Sequence, residues 1–325
     1  MRVIKRDDIS QLITMNEVIR LMRNVFEAVG KNKVVLPDRT VIEMTNKNDA
    51  VLFMPGYIPD LKSIGIKIVT VFPENVSKGI PTINAQIILN NPETGEVMCV
   101  MEGGLITAMR TAAVSAVATD HLALKDASSL GIFGAGVQAG SQIRAIMEVR
   151  PIQIVRIYDL IPGQAQKLVN EMKTTVGETC RFEAVLKPVD ILAESQIIVT
   201  ATTSQTPVFD GKHLVPGTHI NAIGSFKPHV REVDDETIRR ANLFVDSRAL
   251  SLIEAGDLII PLENGVISED DIRAELGELV LGKRKGRESE NEITFFKSVG
   301  MAVQDMAVAK TVYKKAEAEN IGVVF

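Results

Sequence analysis

Two groups of residues in this 325-residue chain could do chemistry: a glycine turn suited to phosphates, and scattered cations suited to an anion. The turn is Gly134-x-Gly136-x-x-Ala139, preceded by the apolar run Leu130, Ile132 and Phe133. Gly134 permits a tight turn, Gly136 lets backbone approach a pyrophosphate, and Ala139 lets the following helix pack on its strand. The amides that open that helix face the phosphates, with Val137 and Gln138 in the loop, and the positive end of the helix dipole favours the anion. A lone glycine pattern is weak evidence, but its surroundings strengthen it. Ile143, Ile146 and Met147 follow at helical spacing, and a second strand, Ile154–Tyr158, ends in Asp159. An acidic residue there is placed for the ribose hydroxyls of NAD.

The cations are less distinctive as residues. Lys67 lies on a strand read over 64–72, where Ile64, Ile66, Ile68, Thr70 and Phe72 share one face and Gly65, Lys67, Val69 and Val71 the other. It reads either as a snorkelling or edge lysine or as one facing a ligand cavity. Arg110 falls in the early turns of an Ala-rich helix after Gly103-Gly104, where a cation opposes the helix dipole unless an anion is present. Arg39, after Pro37, has the ordinary reading of a solvated loop arginine.

The elements that must position these groups follow from periodicity. Thr14-Met15-Asn16-Glu17 is a capping box, followed by Val18, Leu21, Met22, Val25, Phe26 and Val29 on one helical face, with Gly30 as the stop. Strand runs at 40–44 and 51–54 flank the turn residues Asn46-Lys47-Asn48-Asp49, and runs at 82–89 and 97–101 flank Asn90–Glu96. The first hundred residues therefore read as a helix followed by an antiparallel sheet. After Asp159 come a helix opening at Pro162, a short helix at 189–193, and strands at Ile197–Thr202, His219–Ser225, 243–246 and 293–296. In a doubly wound sheet, ligands lie beyond the carboxyl ends of the strands, which places Thr200, Thr202, Ala222 and Gly224 at a cofactor cleft. The fold class is α/β: a Rossmann doubly wound sheet plus a smaller discontinuous α+β domain with an antiparallel sheet. The boundaries read as 1–117 with 300–325 for substrate binding and dimerisation, and 118–299 for the dinucleotide.

Composition narrows the function classes. A formal charge of −5 argues against a nucleic-acid surface, and Lys283–Arg287 with its following glutamates reads as solvated surface. No long apolar run reads as a membrane span, and the first residues lack the pattern of a signal peptide. Cys99 and Cys180 read as free thiols in a reducing cytoplasm, and the four histidines form no metal-binding pattern.

The whole pattern resembles the ornithine cyclodeaminase/mu-crystallin family. The resemblance rests on Glu102–Ala113, Gly134–Ala139, His219–Gly224 and Lys297-Ser298-Val299-Gly300, four motifs in order along the chain. It implies a homodimer and a nicotinamide cofactor acting on small 2-amino or 2-imino acids. It implies that Arg39, Lys67 and Arg110 hold a substrate carboxylate, with Val299 nearby. It also implies NAD contacts at Thr82, Arg110, Thr111, Val137, Gln138, Asp159, Thr200, Thr202 and Ser298. One position departs from the pattern. Cyclodeaminases and the related archaeal alanine dehydrogenases carry an Asp two residues past the glycine matched by Gly224, and this chain has Phe226 there. A phenyl ring can neither take nor give a proton, which argues against deamination. Lys227, His229 and Glu232 are the nearby groups that could replace the Asp. The version of the motif seen here is closer to the family's ketimine reductases. The expected activity is NAD(P)H-dependent reduction of a cyclic 2-imino acid of the Δ1-pyrroline-2-carboxylate type, with Lys67 the candidate proton donor. NAD(H) is preferred because Asp159 repels a 2′-phosphate, and NADP(H) is the alternative because Arg156 lies near. Competing readings are ornithine cyclodeaminase, an amino-acid dehydrogenase, and a non-catalytic ligand-binding protein.

Overall fold

The structure is a computed structural model that describes residues 1–44, 49–177 and 179–325, so Asn46, Lys47 and Asn48 of the expected hairpin turn lie outside the described residues. The chain divides into two compact units, Met1–Arg110 with Gly300–Phe325, and Thr111–Val299.

The first unit is built on a seven-stranded sheet. Strand β1 (Arg2–Ile4) is followed by helices α1 (Arg6–Leu12) and α2 (Met15–Gly30), then by β2 (Thr40–Glu43), β3 (Ala50–Ile58), β4 (Ser63–Val71), β5 (Ile83–Asn90) and β6 (Val97–Glu102), and the seventh strand, Val323–Val324 at the end of the chain, pairs antiparallel with β1. Thr14 and Glu17 close the expected capping box at the start of α2, the Thr14 hydroxyl accepting from the Glu17 amide and the Glu17 carboxylate from the Thr14 amide. Gly30 remains helical, and the left-handed residue after the helix is Asn32, at φ +55°. The strands β2 to β6 pair antiparallel, but β1 runs parallel to β6. The sheet is therefore mixed, because the crossover through α1 and α2 that precedes the hairpins allows a parallel neighbour.

The expected split of β4 into two faces holds, but the buried face is the one with fewer large apolar side chains. Ser63, Gly65 and Lys67 are buried, whereas Ile64, Ile66 and Ile68 are only half-buried. The reason lies across the sheet. Gly56 and Gly65 are direct partners in the β3–β4 register. A Cβ on Gly56 would lie 3.2 Å from Ala302 Cβ and the Val303 amide nitrogen, and one on Gly65 would clash with the Ile88 carbonyl oxygen of β5 as well as meet Met306 Sδ at 3.0 Å. The paired glycines let the last helix of the chain lie close against the strands.

Helix α3 (Gly103–Leu122) leads into the second unit, an eight-stranded sheet whose pairs are all parallel. Its strands are β7 (Ser129–Phe133), β8 (Ile154–Tyr158), β9 (Arg181–Ala184), β10 (Ile197–Thr200), β11 (His219–Ala222), β12 (Ala241–Val245), β13 (Ile272–Glu275) and β14 (Ile293–Lys297), in the spatial order β13-β12-β14-β11-β10-β7-β8-β9. Helices α4 (Ala139–Met147), α5 (Gln164–Val176), α6 (Pro188–Leu192), α7 (Asp235–Arg240), α8 (Arg248–Glu254), α9 (Gly256–Glu263) and α10 (Leu276–Val280) connect them, and α11 (Ala302–Ala318) closes the first unit. Pro162 precedes α5 rather than opening it, and Gly163 takes the cap position. Every residue of β7 and β10 is buried, as expected of parallel strands covered on both faces. Strand order reverses between β7 and β10, which is where a doubly wound sheet opens a crevice for a ligand.

Candidate active site

The second unit carries the glycine turn expected to take a nucleotide. Gly134 has φ +93°, in the left-handed region, and a Cβ there would come within 2.6 Å of the Ala201 carbonyl oxygen. That glycine is required by the protein's own packing, because the loop after β7 presses on the loop after β10. Gly136 differs. Nothing lies within 4 Å of the position of its Cβ, so the protein itself leaves that space open. An open space beside a backbone turn, ahead of the amides that begin α4, fits a dinucleotide pyrophosphate. Val137 stands 80% exposed beside it. Asp159, one residue past β8, accepts from the Ala135 amide at 2.7 Å and from the Ile161 amide at 2.7 Å, which holds its carboxylate against the glycine loop.

Glu232 organises the strand ends beside this turn. Its carboxylate accepts from the Thr202 amide, the Thr202 hydroxyl, the Thr200 hydroxyl and the Gly224 amide, at 2.7 to 2.9 Å. It thus ties the carboxyl end of β10 to the loop after β11, and brings Thr200, Thr202 and Gly224 together. Burial and the neighbouring Asp257 push its pKa up, against the opposing influence of Lys297 and the donors from Thr202. Thr200 is fully buried and points its hydroxyl at Glu232, whereas Thr202 is half-buried. Ala222 ends β11. Ser298 and the Val299 amide both donate to Asp246 at the end of β12, and Thr111 is buried in α3.

These contacts bear on Phe226 as well. Its neighbour Ser225 is locked by Lys297 and Asp257, the Lys297 ammonium lying 2.7 Å from Asp257 and 2.9 Å from the Ser225 hydroxyl. Phe226 itself is half-buried. Of the three groups that could stand in for an Asp, Glu232 has both oxygens taken, His229 is exposed, and Lys227 is half-buried. His219, from the same motif, is buried with Nδ1 3.0 Å from the Thr294 hydroxyl, and burial pushes its pKa down to about 3, so it stays neutral.

The first unit brings the three cations together. Lys67, only 1% exposed, places Nζ 2.7 Å from Asp305 Oδ2 and 3.5 Å from the Thr107 hydroxyl. Arg110 donates through Nε to Asp305 Oδ1 at 3.1 Å and through Nη1 to Gln304 Oε1 at 2.8 Å. Arg39 donates to the Gly300 carbonyl at 2.8 Å. Gly300 has φ +80°, and a Cβ there would fall 2.5 Å from Arg110 Nη1. Only glycine lets the chain pass between the two guanidinium groups. Arg110 lies two turns into α3, not at its start, where Glu102 accepts from the Gly104 and Leu105 amides. The cation is therefore matched by the first turn of α11 rather than by a dipole-bound anion. Burial lowers the pKa of Lys67 to about 7; Asp305 opposes this, and Arg110 and Arg39 add to it. Burial opposes ionisation of Asp305, but Arg110 and Lys67 outweigh it and hold the carboxyl below its usual range. Thr82 lies in the same unit, half-buried, with its carbonyl accepting from the Phe72 amide.

Asp305 and Gln304 are not among the residues singled out from sequence. Asp305 is 238 positions from Lys67, and only the final helix's passage over β4 joins them. Among the described residues, no group of three or more His, Cys, Asp or Glu side chains could hold a metal ion. No helix among them is long and apolar enough to cross a membrane.

A doubly wound parallel sheet with an open glycine turn at its switch point, joined to a unit in which Lys67 and Arg110 are buried together, defines a two-unit dinucleotide-binding protein of the oxidoreductase type. More specifically, the chain belongs to the ornithine cyclodeaminase/mu-crystallin family, whose model matches residues 1–320. It is 39% identical over 323 residues to a Δ1-pyrroline-2-carboxylate reductase of Bacillus cereus, covering 99% of this chain and 98% of that protein. It is similar in structure to the Thermococcus litoralis Δ1-pyrroline-2-carboxylate reductase in complex with NADH and L-proline, with a TM-score of 0.97, 43% identity and full coverage of both chains. It is also similar to an archaeal alanine dehydrogenase dimer with bound NAD, with a TM-score of 0.91 and 33% identity, covering 99% and 98% of the two chains.

Proposed function

We propose that this protein is an NADH-dependent reductase of small cyclic 2-imino acids, with Δ1-pyrroline-2-carboxylate the leading substrate and proline the product. The observation that carries the reading is the pair of buried cations Lys67 and Arg110 with the half-buried Arg39 beside them; Phe226 stands where the family resemblance implies an acid in deaminating members. The names of the reductases in the preceding comparisons support it.

Arg39, Arg110 and Lys67 bind the substrate carboxylate, and Arg110 is pre-set for this by Asp305 and Gln304. Fixing the carboxylate orients the C=N group, and orientation supplies a large part of the rate. Bound NADH supplies the hydride that reduces the C=N carbon. Lys67 gives the proton to the imine nitrogen. Its pKa, lowered by burial to about 7, is matched to that task. A cyclic imine releases no ammonia on reduction, so no acid is needed at position 226.

Asp159 sets the nucleotide preference. A 2′-phosphate would meet its carboxylate, and the nearby Arg156 is occupied by ion pairs with Glu183 and Glu194. NADH oxidation measured against Δ1-pyrroline-2-carboxylate, its six-membered homologue, and pyruvate plus ammonia tests the reading. The cyclic imines should turn over, with NADH favoured over NADPH by roughly tenfold or more. Turnover of pyruvate plus ammonia alone would replace the reading with an amino-acid dehydrogenase.

The active form is proposed to be a cytoplasmic homodimer. The dimer is supported by the half-exposed apolar face of the first sheet, where Phe53 pairs with Ile68 and Ile66 with Ile88 beside Ile64 and the exposed Ile42. Such a continuous apolar surface fits a second copy. Light scattering should give about twice 35.4 kDa, and a monomer mass would overturn the assignment.

A further inference from the structure

Two buried cations and an adjoining third must share one site in the first unit, which raises the question of what keeps Lys67 charged. The neighbours of Lys67 can be taken element by element. Its cross-strand partners are apolar, Met54 on β3 and Ile87 on β5. Helix α3 offers Thr107 and Arg110, the segment before β2 offers Arg39, and α11 offers Asp305. Burial and the two arginines all favour the neutral amine, so the carboxylate of Asp305 is the group that opposes them.

The geometry is specific. Asp305 has no exposed surface and divides its two oxygens between two cations, Oδ2 to Lys67 at 2.7 Å and Oδ1 to Arg110 at 3.1 Å. The close approach of α11, permitted by Gly56 and Gly65, delivers it there. We propose that Asp305 is a positioning residue that keeps Lys67 an ammonium at working pH and fixes its separation from Arg110. Asp305 neither gives nor takes the proton of the reaction; it acts through Lys67. This deepens the proposed function and rests on Lys67 as the proton donor.

The test is the pH profile of kcat/KM for Δ1-pyrroline-2-carboxylate in the wild type and in Asp305→Asn, Asp305→Glu and Lys67→Ala. The donor must be protonated, so activity falls as pH rises through its pKa. Removing the Asp305 charge lowers that pKa, so the alkaline limb of Asp305→Asn should move down by about one pH unit or more. NADH binding should stay unchanged. Asp305→Glu keeps the charge and should keep the limb near its wild-type position while losing activity through the altered spacing. A residue with a merely structural role would lower the whole profile and leave the limb in place, and that result overturns the proposal. Where Asp305→Asn does not fold, a limb moved down by about one pH unit or more in the charge-keeping Asp305→Glu overturns it, and a limb at the wild-type position with activity reduced supports it. If Lys67→Ala retains the wild-type profile, the donor reading itself fails. If Lys67→Ala is inactive and Asp305→Asn keeps the wild-type limb, only the role of Asp305 fails.

Discussion

Lys67→Ala is expected to lower kcat/KM for Δ1-pyrroline-2-carboxylate by roughly a thousandfold or more, about 4 kcal/mol of transition-state stabilisation, while NADH binds as in the wild type. The size follows from two losses at one atom. On the proposed reading the ammonium both helps hold the substrate carboxylate and supplies the proton, so orientation and acid catalysis would go with it. The substitution also leaves Asp305 without its partner at 2.7 Å, in a site closed to solvent. A buried carboxylate that loses one of two cations is costly, so thermal stability should fall too. Steady-state kinetics paired with NADH fluorescence titration separates the outcomes. Unchanged turnover would remove Lys67 from the chemistry, and loss of NADH binding in step with turnover would mark a folding defect.

Gly136→Val is expected to have a large effect with the opposite signature. Since nothing lies within 4 Å of a Cβ at this position, the free protein accommodates the added carbon. The space it enters is the one assigned to the pyrophosphate. NADH affinity should drop about 100-fold, roughly 2.7 kcal/mol, with little change in the melting temperature. Gly136→Ala should fall between valine and the wild type. Gly134 offers the contrasting control, since its positive φ and the Ala201 carbonyl 2.6 Å from a Cβ make any side chain there a stability problem. Wild-type NADH affinity in Gly136→Val would mean that the cradle lies elsewhere.

How far the sequence discloses all this depends on the range of the interaction. Local signals carry well. The Thr14–Glu17 capping box needs four residues, and the strand–glycine–helix–strand–Asp order that marks the nucleotide cradle needs about thirty. Both are read from pattern because backbone geometry fixes their spacing. Period-two alternation in β4 placed Lys67 opposite the isoleucines, but alternation alone names no inside. The inside was decided by the Gly56–Gly65 pair and the helix they admit, a contact between residues 56, 65, 302 and 306. Asp305 was missed for the same reason, since no spacing rule links it to a lysine 238 residues earlier. Glu232 was noticed as an acid near the variant motif, yet its work is to hold amides and hydroxyls at two strand ends. The chemical type of a residue is visible in sequence, whereas the partners that decide its role are supplied by the fold. Strands β1, β9 and β13 give no signal because they are three or four residues long and charged residues (Arg2, Arg181, Glu183, Arg273, Glu275) break the apolar runs that betray the equally short β10 and β11.

The central claim is that the imine is reduced and no ammonia is released. It is tested most directly by following NADH oxidation, proline formation and ammonia release together, with Δ1-pyrroline-2-carboxylate in one vessel and ornithine in another. The account predicts one NADH consumed for each proline formed from the imine, and no ammonia from ornithine with added NAD. Proline and ammonia appearing from ornithine, with the nicotinamide unchanged at the end, would contradict it.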